Sequence, residues 1–292
     1  MAARSTSWPR QAHTYRLPEL LTDIRLLDLL ELSGSTHQAS QVLELSQPSV
    51  SRRYRALAED FELRAEEESP PGWRYGTNAT MRLLRLSCRC HRLQAGVARL
   101  GADLLHHSLL DGLPWLLPAP LRFRPLRDWF ELVRHGVLDG ALVSELELER
   151  ESALQEPELE LHRLGPLPLS LARATAPDPS DGGAAITVLV PGEAIAPGLR
   201  ALLNRQGMTL RIAGPGCATP EQWRDQLRRR GGAMPVGGRT GPAAGWAEHL
   251  EWRPLADGTV SPVWLALPRG SDSEPLLRHT LERLRAAPAL AG

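Results

Sequence analysis

Apolar residues in the first hundred positions recur every three or four places, a spacing that predicts helices. Leu20, Ile24, Leu27 and Leu30 share a broad apolar face over 17–32, read as a support helix stopped by Gly34. Ser35 or Thr36 then caps a short helix, HQASQVLEL, with Ala39, Val42 and Leu43 facing inward; the small Ala39–Ser40 pair lets two helices approach closely. A turn at Leu45–Ser46 leads to a second cap, Ser46, followed by Pro48 in the first helical turn, where a missing N–H costs nothing. Val50, Tyr54, Leu57 and Phe61 form the buried stripe of this helix, and Gln47, Ser49, Arg52, Arg53 and Arg55 lie on its opposite face. After it, ELRAEEESPPGWRYGT flanks a short aromatic strand, Trp73 to Tyr75, with prolines and glycines, so a hairpin-like wing is expected. From Asn78 the pattern is helical for about 25 residues, with Met81, Leu84, Cys88, His91 and Ala95 on one narrow side, as in a helix that pairs with another helix.

From about His106 the period changes. LRFR (121–124), VLDGALV (137–143), ITVLV (186–190), TLRIAG (209–214), AMPVG, LEWRPL and PVWLALPRG read as strands. Between them RDWFELVRHG (closed by Gly136), PGLRALLNRQG, PEQWRDQLRRRGG and a final stretch from Glu274 to Ala287 read as helices. Such alternation predicts an α/β domain with mostly parallel sheets. DGG (181–183) and GGRTGPAAG (237–245) read as loops.

With 292 residues the chain suits two or three domains, and 42% hydrophobic content supplies real cores. The net charge is zero, so any nucleic-acid surface is local; all 34 basic residues are Arg, a bias read as base composition rather than as a binding feature. No apolar run is long enough to span a membrane, and MAARSTSWPRQAHTYR lacks the apolar centre of a secretory signal. It reads as a disordered tail (1–16) on a cytoplasmic protein. Cys88, Cys90 and Cys217 give no disulfide framework. On a helix Cys88 and His91 share a face and Cys90 does not, so C-x-C-H offers two ligands where a metal needs four; they read as packing residues, with a thiol switch at a dimer interface as the lesser alternative. No metal and no cofactor is expected. His106, His107, Ser108 and Asp111 are close in sequence only, and there is no G-x-S-x-G, Walker loop or H-E-x-x-H, so no enzyme is expected.

The run SQPSVSRRYRALAED resembles the recognition helix of LysR-type transcriptional regulators, and GSTHQASQVLELS resembles the small-residue helix before its turn. RDWFELVRHGVLDGALVS, LHRLGPLPLSLARA and PVWLALPRG are similar to that family's first effector lobe, crossover and return. The resemblance covers nearly everything from Leu17 onward. It implies an N-terminal all-α winged helix-turn-helix (17–77) with a linker, or dimerisation, helix (78–105). It also implies a C-terminal α/β two-lobed periplasmic-binding-protein-like domain (106–292), with lobe 1 at 106–164 and 266–292 and lobe 2 at 165–265. The expected partners are double-stranded DNA, a small-molecule effector in the inter-lobe cleft, and further copies of the chain in a homodimer or homotetramer. The resemblance implies a bacterial sequence-specific DNA-binding regulator with no catalytic step; the alternative reading is a small-molecule-binding or scaffolding protein with a weakened DNA-binding unit. Three departures from the family pattern matter: carboxylates at Glu66, Glu67 and Glu68 beside the wing, which repel phosphate, a short first lobe, and a crowd of tryptophans (Trp115, Trp129, Trp223, Trp246, Trp252 and Trp264) in the latter part.

On this reading Gln47, Ser49 and Arg52 face base edges. Ser35, Thr36, Ser51, Arg53, Arg55 and Arg74 hold phosphates, with Pro48 starting the recognition helix. Effector contacts are expected at Ser108, at Ser144 and Gly192 on strand ends, and at Thr219, which either holds an anion or simply caps its helix.

Overall fold

The computed structural model describes residues 11–16, 18, 21–65, 71–103, 105–117, 119–120, 122–148, 157–174, 187–213, 220–238, 250–255 and 258–290. The tail 1–10, Leu20, the acidic Glu66–Glu68 run, the loop 181–183, most of the 237–245 loop, Cys217, Thr219 and Trp246 lie outside the described residues.

Four helices open the chain: α1 (Thr22–Ser33), α2 (Thr36–Leu43), α3 (Gln47–Asp60) and α4 (Ala79–Gln94). Gly34 ends α1 at φ 66°, donating its N–H to Leu30 O, a conformation favoured by a residue without Cβ. The Ser35, Ser46 and Asn78 side chains accept the N–H of Gln38, Ser49 and Met81, so three of the four helices start on a side-chain cap. Val50 and Leu57 are buried, and Tyr54 and Phe61 partly so, which places the α3 stripe as expected. No strand forms at Trp73–Tyr75; residues 71–75 are turns, held in place by backbone bonds to buried side chains.

The helix expected to run from Asn78 for about 25 residues ends at Gln94, and Val97–Gly101 extend into the sheet. Its inner face is Met81, Arg85, Cys88 and Arg92, all buried, whereas Leu83 and Leu86 are exposed. The arginines turn inward because buried acids meet them: Arg85 Nε lies 3.0 Å from Asp28, and Arg92 is bidentate to Asp139 at 2.8 and 3.2 Å.

The remainder forms β1 (Leu100–Gly101), α5 (Leu126–Arg134), β2 (Gly140–Ser144), α6 (Glu145–Leu148), β3 (Leu159–Ala174), β4 (Thr187–Val190), α7 (Pro197–Arg205), β5 (Thr209–Ile212), α8 (Pro220–Arg230), β6 (Ala233–Gly237), β7 (Leu250–Pro254), β8 (Val260–Pro268) and α9 (Pro275–Arg285). Strand order is β1-β2-β8-β3-β6-β4-β5, with β7 also on β3. The sheet is mixed rather than mostly parallel: β3 runs antiparallel to β6, β7 and β8, and β2 antiparallel to β8. Parallel pairing is confined to β1–β2, β4–β5 and β4–β6. The cause is β3, whose first ten residues (159–168) pair with β8 and whose last six (169–174) pair with β6 and β7, so one strand runs through both lobes. The strand expected at LRFR does not form; 122–125 are irregular and lead into α5.

The helical region and the first lobe share one core. Leu26, Leu29 and Leu30 of α1 cluster with Trp129, Phe130 and Leu132 of α5, which explains why nine of the twelve α1 residues are buried. Trp115 donates its indole N–H to Thr280 at 3.0 Å, and Trp223 is buried against Phe123, just ahead of α5.

Candidate nucleic-acid interface

The N-terminal ends of α2 and α3 meet at one surface. Gln47 donates through Nε2 to Thr36 Oγ1 at 3.1 Å, and Ser46 and Ser49 hydroxyls are 2.8 Å apart. Arg52 donates to Ser49 Oγ at 3.2 Å, so its guanidinium is held over the start of its own helix. Gln47, Pro48, Arg52, Arg53 and Arg55 are exposed; Ser35, Thr36, Ser49 and Ser51 are half-buried beside them. Each helix start adds unpaired N–H groups and a positive dipole end, which favour phosphate. Among the residues expected at DNA, one hydrogen bond brings Thr36 to Gln47 and another brings Ser49 to Arg52.

Arg74 stands apart. The turn that carries it is clamped inward: Glu31 accepts the N–H of Gly72 at 2.8 Å and of Tyr75 at 3.0 Å, Arg85 donates to Gly72 O at 2.6 Å, and Trp73 donates its indole N–H to His135. Arg74 is half-buried with its Nε unpartnered, and its charge acts on Glu31, Arg122, Arg124 and Asp128. Burial raises Glu31 above the ordinary carboxylate range, against the pull of the Tyr75 N–H and Arg85. Desolvation likewise pushes His135 down to about 4, against the charge of Glu131, whose carboxylate lies 3.2 Å from the ring Nε2.

The expected effector residues are only partly assembled. Ser144 lines a cavity between the lobes of about 20 Å³, room for one water molecule, and its hydroxyl bonds Ser261 at 2.6 Å. Ser108 and Gly192 lie elsewhere: Ser108 Oγ is buried without a partner near Gly238, and Gly192 faces open space. Across that cavity Glu147, just after β2, accepts the N–H of Gly198 at 3.0 Å and Leu199 at 2.9 Å, so the chain's own carboxylate fills the α7 N-terminus. Gly198 permits the contact, because any side chain there would overlap the Leu146 carbonyl. Local sequence carries no sign of this pairing, which joins residues about fifty apart in sequence.

Cys88 packs in the helical core and burial pushes its thiol up to about 11; Cys90 is exposed. His106 pairs with Asp103 at 2.8 Å and His107 approaches Asp111 at 3.5 Å, while Ser108 bonds neither ring, so no triad forms. Among the described residues no cluster of metal ligands occurs, and no helix is long and apolar enough to cross a membrane.

No family model and no curated protein matches the sequence. Similar solved structures include CbnR, a LysR family transcriptional regulator, at 15% identity over 92% of this chain and 99% of that chain, TM-score 0.45. Full-length CbnR complexed with its target DNA gives 15% identity, 91% and 98% coverage and TM-score 0.46. A hydrogen-peroxide-bound mutant of OxyR from Corynebacterium glutamicum gives 18%, 95% and 96%, and TM-score 0.45. At such identity and overlap these are likenesses of shape, and the functional reading rests on the chain's own residues.

Proposed function

We propose that this protein is a sequence-specific DNA-binding transcriptional regulator of the LysR type, working in the cytoplasm as an oligomer and carrying out no catalytic step. The observation that carries the reading is the surface shared by Ser35, Thr36, Gln47, Ser49 and Arg52, with Arg53 and Arg55 exposed beside it. Amide, hydroxyl and guanidinium donors at a helix start suit a major groove, where bases present acceptors and phosphates flank them. The inward-held Arg74 leaves DNA contact to α2 and α3.

Binding to the DNA upstream of its own gene, measured by fluorescence anisotropy against salt, tests this. Affinity should fall steeply as salt rises. Arg52→Ala should weaken the specific site by about 1–3 kcal/mol, and Arg53→Ala should weaken all sequences alike and lower the salt slope by about 1. Affinity independent of salt and of both substitutions would favour the ligand-binding or scaffolding alternative.

The oligomer interface is assigned to the outer face of α4, where Leu83 is 66% and Leu86 49% exposed, next to Trp73 at 40%. Large apolar side chains grouped on one face favour a partner surface over water. An effector in the inter-lobe cleft requires the lobes to part, because the closed cleft holds only about 20 Å³.

A further inference from the structure

A second cavity, of about 710 Å³, lies between the helical region and the first lobe. Its volume falls in the range of small-molecule sites. Leu29, Val42, Leu43, Leu116 and Leu117 form apolar walls, and Arg25 is exposed at the rim. The segment ahead of α1 borders it, with Ala12 donating to Pro114 O at 2.6 Å and the Tyr15 hydroxyl 3.1 Å from His91 Nδ1.

Its floor is a buried charge network with a surplus of cation. Asp28 accepts from Arg85 at 3.0 Å and Arg99 at 3.3 Å; Asp139 takes Arg92 at 2.8 Å and Arg89 at 3.5 Å. Four guanidiniums thus share two aspartates; Glu31 stands 3.9 Å from Arg85 and is occupied by the turn at 72–75, and the exposed Glu44 lines the cavity with the exposed Arg25. Arg99 lines the cavity at 4% exposure, and its Nε–H has no hydrogen-bond partner. An under-neutralised, under-bonded buried cation is costly, and an anion beside it removes both penalties. Desolvation, and then the charge of Arg92, lowers the Arg99 guanidinium from its ordinary value, in keeping with that surplus.

We propose that this cavity is a binding site for a small monocarboxylate with an apolar body, its carboxylate against Arg99 and its body among Leu29, Val42, Leu43 and Leu117. Of the arginines that line the cavity, Arg99 is the one with a buried N–H lacking a partner, and one such donor suits a monoanion better than a phosphate dianion. Because Leu29, Val42 and Leu43 belong to α1 and α2, occupancy fixes the DNA-facing helices against the sheet; this consequence, unlike binding itself, rests on the regulator reading.

Isothermal titration of the full chain with hexanoate and with benzoate, and with hexanamide and benzamide as neutral counterparts, tests the site. At least one carboxylate should bind saturably, and its amide at least tenfold more weakly. Leu43→Trp, which fills the cavity and leaves the charges in place, should weaken binding at least tenfold, as should Arg99→Gln. No saturable binding by either carboxylate, equal binding of the amides, or retained affinity in Leu43→Trp with a normal melting profile overturns the proposal. Carboxylate binding by a protein that fails to retard DNA keeps this site and sinks the regulator reading instead.

Discussion

Arg85 and Arg92 point into the protein while Leu83 and Leu86, on the same helix, point out. A residue's polarity predicts its burial only when its partners are known, and here Asp28 and Asp139 arrive from α1 and from the loop before β2. His135 gives the same lesson a measurable form. Desolvation holds its folded pKa at about 4, below the ordinary 6.5. As pH falls, the unfolded chain takes the proton first, so the contribution of His135 is complete above pH 6.5 and is lost as pH drops through about 4. Replacing His135 with Gln should therefore flatten the fall in urea midpoint across that window relative to the parent protein. Parallel profiles for the two proteins would show that the imidazole is not desolvated.

α3 was legible because everything that makes it lies within fifteen residues: the Ser46 cap, Pro48 in the first turn, and one apolar stripe. α4 was half legible. Its start at Asn78 and its period are local, but its end and its orientation depend on contacts far along the chain. The apolar stripe at Met81 and Cys88, which suggested pairing with another helix, is consumed by the protein's own core. The large apolar side chains that α4 leaves exposed are Leu83 and Leu86, three residues apart, where the proposed oligomer interface lies. Leu83→Asp combined with Leu86→Asp should shift the protein to a monomer in sedimentation velocity, weakening self-association at least tenfold while leaving its helix content unchanged. An unaltered sedimentation coefficient would place the interface elsewhere.

Across the molecule, three contacts between distant parts set the arrangement: α1 on α5, β3 running through both lobes, and Glu147 bridging to α7. Each Glu147 oxygen accepts a backbone N–H, and hydrogen bonds to a charged group contribute about 1.5–3 kcal/mol. Glu147→Ala should lower the unfolding free energy by roughly that amount, with the cleft wider in solution scattering; a urea curve superimposable on the parent's would show that the carboxylate does not hold the lobes. The starts of α2, α3 and α4, their caps, the buried stripe of α3 and the change of period near residue 106 could be read from periodicity and turn chemistry, because those signals act over a few residues. The mixed direction of the sheet, the inward arginines, the closed cleft and the charged cavity could not. They depend on which distant groups meet, and a buried charge or a strand's direction is settled by the partner it finds after the chain has folded.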